Sequence, residues 1–489
     1  RGNTFHISIL ENVNENFTSL HSAPCLAMGS RRFFRCFLYL LLFIFLMILI
    51  IGYKVLSVDD GTEYEALQIE YSEEERQQIL KKEITAPIIL WWTPFTGEPG
   101  RYRTCGTVQC FFTINRLYKD HPKTKVLLFY GTDMKVNDLP LPRHPHEEWG
   151  LLHEESPKNN FLFSHKEMML VFNHTCTFRR ESDYPITTQY LESLEWLEST
   201  KYMVTTSKKN EYLAELAPLI YTHSDCDVPS DRDNLVRRIM EHMKVDSYGQ
   251  CVRNKDLPKH LVDPIQGMEH EDFYQLNAKY KFSFSFENAI CNDYITEKLW
   301  RPLMLGSVPV VMGSPRVRDY LPDNHSAIIV DDFKSVEELV NYLQFLNEND
   351  EEYEKYLEWK RTGITNKVLL DIMKNRDFGI KDTWKSGQQN FIEGFECFVC
   401  KRIHENMQRS ENEEETLHFQ ADENHYGCPA PQKFDKFGNK VPHTYWHYEW
   451  YQKLHQAKAM KYFVDNNLPY SQEKFQEKIK EFHSDGSLF

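Results

Sequence analysis

The segment Tyr280-Lys281-Phe282-Ser283-Phe284-Ser285-Phe286-Glu287-Asn288 sets aromatic and small polar residues in alternation, then breaks the pattern at an acid and an amide. Successive side chains on a strand point to opposite faces, so this period of two reads as a β-strand that ends at a site. Cys291-Asn292-Asp293-Tyr294-Ile295-Thr296-Glu297-Lys298 follows, and there helix onset is signalled twice: Asn292 or Asp293 can cap, and Glu297 suits the positive first turn. Ile295, Leu299 and Leu303 continue at four-residue spacing as a buried stripe. Ligands of open α/β sheets collect at the carboxyl ends of strands. The start of this helix, with its free N–H groups and Lys298, is therefore a candidate seat for a diphosphate, and Glu297 a candidate acceptor for ribose hydroxyls. A capped helix with a surface lysine and glutamate is the competing reading of this stretch taken alone.

Working outward, short apolar runs at 219–222, 245–248, 282–286, 308–311 and 327–330 alternate with helical segments, as in a doubly wound sheet. A similar series begins with runs at 88–92 and 126–130. The expected fold class is α/β, with two doubly wound, Rossmann-like domains facing a cleft, drawn at 85–220 and 221–400. Residues 401–489 are set apart as a helical C-terminal extension, in which the aromatic run 445–451 reads as a packing face. There is no internal repeat.

The 489 residues, 41% hydrophobic and 14% aromatic, suffice for two packed cores. A net charge of −15 argues against a nucleic-acid partner, so any anionic ligand must be met by local positive charge. The apolar run 36–52 has Arg31, Arg32 and Arg35 before it and Asp59, Asp60, Glu63 and Glu65 after it. By the positive-inside rule this is a signal anchor at 36–53, with residues 1–35 cytosolic and the rest lumenal. A cleaved signal peptide is the alternative, but no small-x-small site follows. Met28 stands directly before the basic cluster, so residues 1–27 read as an extension without an assigned role. Residues 54–84, acidic and helix-prone, read as a stem.

Nine of the eleven cysteines fall in the expected lumenal part, where disulfides form, and the odd count leaves one unpaired. Cys397-x-x-Cys400 lacks a second CxxC or a histidine-rich partner, which favours disulfides over metal or redox work. Sequons at Asn173 and Asn324 fit a secretory address, whereas the one at Asn16 would be cytosolic.

The run F-x-F-E-N-x-x-x-x-D-Y-I-T-E-K-L-W, from Phe284 to Trp300, resembles the signature of the α1,3-fucosyltransferases. Two further blocks carry the same resemblance. One is Ser224-Asp225 with Arg232, followed by Val245-Asp246-Ser247-Tyr248-Gly249; the other is Glu155-Ser156-Pro157, followed by Phe172-Asn173-His174-Thr175 and Phe178-Arg179-Arg180-Glu181-Ser182-Asp183. The likeness covers about residues 85–400 and implies a GT-B fold with GDP-fucose as donor and no metal or other cofactor. It implies that Arg232 and Lys298 neutralise the diphosphate, that Glu297 and Tyr294 hold the nucleotide, and that Asn288, Ser224 and Asp225 line the same pocket. Asp225-Cys226-Asp227 mimics a D-x-D metal motif but sits where the family has its Ser-Asn block, so no metal ligand is assigned. Glu155 resembles the general base that takes a proton from the acceptor hydroxyl in an inverting single displacement, with Glu154 beside it as the other candidate. Phe178, Arg179, Arg180 and Tyr248 are candidate donor or acceptor contacts. The resemblance also implies joining Cys105 and Cys110 with Cys397 and Cys400, and leaves Cys176, Cys226, Cys251, Cys291 and Cys428 open.

Within the family, T-P-F-T-G-E-P-G, L-F-Y-G-T-D, H-E-E-S-P-K-N-N, N-K-D-L-P and the C-terminal extension look most like the divergent vertebrate pair, fucosyltransferases ten and eleven. That pair is regarded as protein O-fucosyltransferases of the endoplasmic reticulum that modify Ser or Thr in folded EMI domains. The resemblance therefore implies a polypeptide acceptor and a single-pass type II protein of the reticulum membrane, with the Golgi as the other address. The alternatives are α1,3-fucosylation of GlcNAc in glycans and a catalytically silent lumenal binding or folding factor.

Overall fold

A computed structural model of the chain describes residues 72–484, apart from 96, 98, 381–386 and 436–438, and excluding the side chains of 264 and 265. The described residues lie within one compact unit. The expected anchor at 36–53, most of the stem and the Asn16 sequon lie outside the described residues. Among the described residues no helix is long and apolar enough to cross a membrane. The stem ends in helix Glu73–Leu80, whose Ser72 and Glu75 form a reciprocal capping box.

Two sheets carry the unit. The first comprises β1 (Ile88–Thr93), β2 (Arg101–Cys105), β3 (Val108–Thr113), β4 (Thr124–Tyr130), β5 (Glu148–His153) and β6 (His174–Thr177), in the order β2-β3-β1-β4-β5-β6. Only the β2–β3 hairpin is antiparallel. The second comprises β7 (Leu219–Tyr221), β8 (Val245–Ser247), β9 (Phe282–Phe286), β10 (Val308–Met312) and β11 (Ile328–Ile329), in the order β11-β10-β9-β7-β8, parallel throughout. With the β2 edge set aside, both sheets have the same doubly wound order, in which the first strand lies between the second and the third, so each has a switch point beside its first strand.

The quoted strand occupies the centre of the second sheet, with Phe284 in register with Val310 and Phe282 with Leu219. Its alternation predicts one apolar and one polar face, yet Ser283 and Ser285 are as buried as the phenylalanines. A central parallel strand is covered on both sides, and the small serines let a helix approach: Ser285 Oγ donates to the carbonyl of Lys298 at 2.7 Å.

The lobe boundaries differ from those expected. Helix Phe391–Glu411 runs through the expected break at 400/401 and packs on the first sheet, where Phe395 joins Ile89, Trp91 and Leu128. Disulfides Cys105–Cys397 and Cys110–Cys400 fasten it there, and Trp91 Nε1 donates to Glu396 Oε1 at 2.7 Å. The first lobe is thus closed by a segment some 290 residues away, a crossing that local pattern does not encode. Helices Thr444–Asp465 and Gln472–Ser484 also pack there, placing Met460, Phe463 and Phe475 with Leu162, Met168 and Phe172. The aromatic run 445–451 packs on one side only: Trp450 meets His165 at 4.3 Å, whereas Tyr445 and Tyr448 face solvent.

Two more disulfides settle cysteines that the sequence leaves open, Cys226–Cys251 and Cys291–Cys428. Cys176 is buried and unpaired. Asn324 is exposed on a loop. Asn173 is not free: its amide donates to the carbonyl of Phe419 at 2.9 Å and its oxygen accepts from Trp149 N–H at 2.9 Å and from Arg143, so the folded chain occupies the nitrogen that glycosylation would use.

Candidate active site

A cavity of about 450 Å³ opens at the carboxyl ends of β7 and β8 and is bordered by the helix after β9, beside the β7/β9 switch point of the second sheet. Three chain segments bring charge to it. Ser224 and Asp225 leave β7, Arg232 begins helix Arg232–Met240, and Glu297, Lys298 and Arg301 stand on the first turns of helix Glu297–Leu305. Leu257, Leu261, Val262, Met268 and Phe273 give the cavity an apolar wall.

Arg232 is buried because its guanidinium finds backbone partners: Nη1 donates to the carbonyl of Phe286 at 3.0 Å and Nη2 to that of Asp225 at 2.7 Å. Its Nε, also buried, has no hydrogen-bond partner among the described residues. Lys298 Nζ lies 3.1 Å from Glu297 Oε1 and 3.1 Å from Thr296 Oγ1, with Glu287 at 3.7 Å. Burial alone would raise the Glu297 carboxyl, but the charges of Lys298 and Arg301 outweigh it and hold the group at about 2. Glu287 is pushed upward by burial and is used structurally: its carboxylate accepts from Thr296 N–H at 2.8 Å and from the Thr296 hydroxyl at 2.9 Å. The end of the strand thereby pins the start of the helix.

Thr296 is the N-cap of that helix, not Asn292 or Asp293 as the sequence predicts. Asp293 sits in the left-handed region at φ 63° with its side chain fully buried. Its carboxylate accepts from Arg180 Nη2 at 3.0 Å, Arg316 Nη1 at 3.1 Å and the Tyr320 hydroxyl at 2.9 Å. This clasp, with Arg180 also on Asp319 at 2.8 Å, joins the segment after β6 to the second lobe.

Five other sequence-derived candidates also lie off the cavity wall, among them Asn288, which was expected to line it. Arg179 donates to the carbonyl of Tyr426 at 2.7 Å, and Phe178 packs against Tyr294 at 5.1 Å and Tyr426 at 4.8 Å. Tyr294 is buried beneath them rather than presented to a nucleotide. The Tyr248 hydroxyl pairs with that of Tyr280 at 2.8 Å. Its neighbour Gly249 does line the cavity, and there glycine is required: a Cβ would stand 2.0 Å from the carbonyl oxygen of His223.

Glu155 lies in the turn after β5, half-buried, with Asn159 Nδ2 3.4 Å from its Oε2. Its carbonyl accepts from the Tyr426 hydroxyl at 3.2 Å. The residues that follow hook this turn onto the rim of the cavity. Ser156 Oγ donates to Asn288 Oδ1 at 2.7 Å, Lys158 pairs with Asp225, and Asn288 Nδ2 reaches Asp225 Oδ2 at 3.5 Å. Glu154 points the other way, as adjacent extended residues do. It is buried, accepts from the Tyr130 hydroxyl at 3.1 Å, and burial, with the charge of Glu155, raises its carboxyl to about 7.

Arg301, His223, Gln250 and Lys158 belong to this site or its rim and were missed in the sequence. Arg301 had a signal, since it follows Glu297 by four residues and Lys298 by three, which share a helix face. Lys158 had none, because its partner is 67 residues away.

Residues 84–190 match the family described as fucosyltransferase, N-terminal, and residues 206–418 match glycosyltransferase family 10 (fucosyltransferase) C-term. GDP-fucose protein O-fucosyltransferase 3 of Gallus gallus is 48% identical over 395 residues, covering 80% of this chain and 82% of that protein. The Homo sapiens protein of the same name is 47% identical over 395 residues, with the same coverage of 80% and 82%. A solved α1,3-fucosyltransferase with GDP is 15% identical with a TM-score of 0.34, covering 60% of this chain and 91% of that one. The two family matches take up more than half of the sequence and the relatives are nearly half identical across four-fifths of it: the chain belongs to glycosyltransferase family 10, the fucosyltransferases.

Proposed function

We propose that this chain transfers L-fucose from GDP-fucose to Ser or Thr hydroxyls of folded, EMI-type protein domains, by an inverting single displacement that needs no divalent metal. One observation carries the reading: Arg232, Lys298 and Arg301 line a single cavity, and the turn bearing Glu155 is hooked to the rim of that cavity through Ser156 and Lys158. The three cations offset the negative charge of a diphosphate, and Glu297, held ionised, accepts hydrogen bonds from ribose hydroxyls. The apolar wall around Leu261 and Phe273 suits the face of the nucleobase. As the bond from the anomeric carbon to phosphate breaks, charge grows on the departing GDP where fixed cations already stand. Glu155 takes the acceptor's proton while its oxygen forms the new bond to that carbon.

A protein acceptor is supported by the names of the relatives, which are GDP-fucose protein O-fucosyltransferases. The lumen of the reticulum, reached through the anchor read at 36–53, is supported by the four disulfides, which form in oxidising compartments. The test offers labelled GDP-fucose, with EDTA present, together with either a folded EMI domain or a GlcNAc-terminated glycan. Label is expected on the domain. Label on the glycan alone overturns the acceptor, and activity only after a divalent metal is restored overturns metal independence.

A further inference from the structure

A second recess lies beside the Ser156–Asn288 contact, lined by their neighbours Pro157 and Ala289. It holds about 130 Å³ and is lined chiefly by Pro157, Phe161, Ala289, Ile290, Pro429 and Ala430. Several of its polar groups are already engaged: the Ser230 hydroxyl donates to the carbonyl of Glu287 at 2.6 Å, Lys440 pairs with Asp331 at 2.7 Å, and Lys433 donates to Thr444 Oγ1 at 2.8 Å. The lining is chiefly apolar, and the volume is below the roughly 300 Å³ at which small-ligand sites begin. The recess is the size and polarity of one apolar side chain.

Its position says whose. Pro157 is two residues beyond Glu155 and Ala289 adjoins Asn288, so a chain that seats a side chain here passes the carboxylate within a few residues. The walls are fixed beforehand by the Cys291–Cys428 disulfide and by Phe434 N–H, which donates to Asp231 Oδ2 at 3.0 Å. Beyond the hairpin β12 (Gln432–Phe434) and β13 (Lys440–Pro442) starts helix Thr444–Asp465, on which Tyr445 and Tyr448 are each 59% exposed. Exposed aromatics beside a preformed apolar recess are the composition of a protein-binding surface.

We propose that this recess holds an apolar side chain of the folded protein acceptor, close in space to the hydroxyl that receives fucose, and so selects which hydroxyl is modified. The inference rests on the reading that the acceptor is a protein. Its test uses the full chain, GDP-fucose and a folded EMI domain, with Ala430→Trp to fill the recess and Ile290→Gln to make it polar. Both variants are expected to raise KM for the domain roughly 10- to 100-fold, the worth of one buried apolar side chain. The kcat, the affinity for GDP and the hydrolysis of GDP-fucose by water stay at wild-type values. A photo-crosslinker at position 430 is expected to capture the domain. Unchanged KM in both variants, with GDP affinity intact, overturns the recess alone, as does capture of a second copy of this chain. Absence of label on the domain with wild-type protein, while GDP-fucose is still hydrolysed, overturns the protein-acceptor reading and the recess with it.

Discussion

The two lobes have the same strand order, and therefore the same crevice at the carboxyl end of the first strand, yet they use it in opposite ways. In the first lobe Arg116 lies 4.1 Å over the ring of Trp92 and donates to the Trp92 carbonyl at 2.7 Å. It also makes a two-pronged ion pair with Asp138 at 2.9 and 2.6 Å, and Phe95 packs on Tyr130 at 4.6 Å. In the second lobe the equivalent place is an open cavity lined by Arg232, Lys298 and Arg301. Topology supplies a crevice, and side chains decide whether it is filled from within or left for an anion. The first lobe contributes instead the turn after β5, which carries Glu155 and reaches across through Ser156 and Lys158.

If chemistry sits on the first lobe's turn and donor binding in the second lobe's cavity, changes in each should be separable. Glu155→Gln is expected to lower kcat by roughly 10²- to 10⁴-fold, the usual worth of a general base, with GDP affinity unchanged by calorimetry. A parallel loss of GDP binding would place Glu155 in the donor site and remove the contrast between lobes. Asp293→Ala removes the shared partner of Arg180 and Arg316, which keep Asp319 and Glu181, and leaves the buried Tyr320 hydroxyl without its acceptor, so it should cost about 1–3 kcal/mol in denaturant unfolding. An unchanged midpoint would show that the clasp does not hold the lobes.

Glu154 gives a pH test. Its carboxyl is raised from the ordinary 4.5 to about 7, so between those values the folded chain keeps a proton that the unfolded chain releases. Stability from this group is therefore greatest below about pH 4.5, declines as pH rises to about 7 and is flat above that, by about 3 kcal/mol in all. Glu154→Gln should remove that slope in melting curves taken from pH 5 to 8 and leave transfer largely intact. If transfer collapses instead, Glu154 is the base. Lys298→Ala is expected to weaken GDP binding by about 2 kcal/mol, the scale of one charge-assisted hydrogen bond, with the loss shrinking in high salt. Arg116→Ala, in the filled crevice, should cost no more than about 1 kcal/mol of stability, since that ion pair is partly exposed, and should leave GDP affinity unchanged.

The cationic side of the site was legible because it is local in sequence. Strand β9, the helix after it and Lys298 at its start occupy one stretch of under 30 residues, and period and capping chemistry speak over that range. Capping was misplaced by three residues because Asp293, a good cap by type, is held by two arginines and a tyrosine from elsewhere. The fates of Tyr294, Tyr248, Arg179 and Arg180 were illegible for the same reason, since each is fixed by partners on other elements.

By itself the sequence determined the two α/β layers, the central strand and the cationic helix start, because periodicity and charge at short spacing are properties of neighbouring residues. The tertiary structure alone decided that Arg301 joins Arg232 and Lys298 in one cavity, that Lys158 and Ser156 bring the Glu155 turn to its rim, and that helix Phe391–Glu411 closes the first lobe. Those contacts join segments tens to hundreds of residues apart, and only packing, which no local pattern records, brings them together.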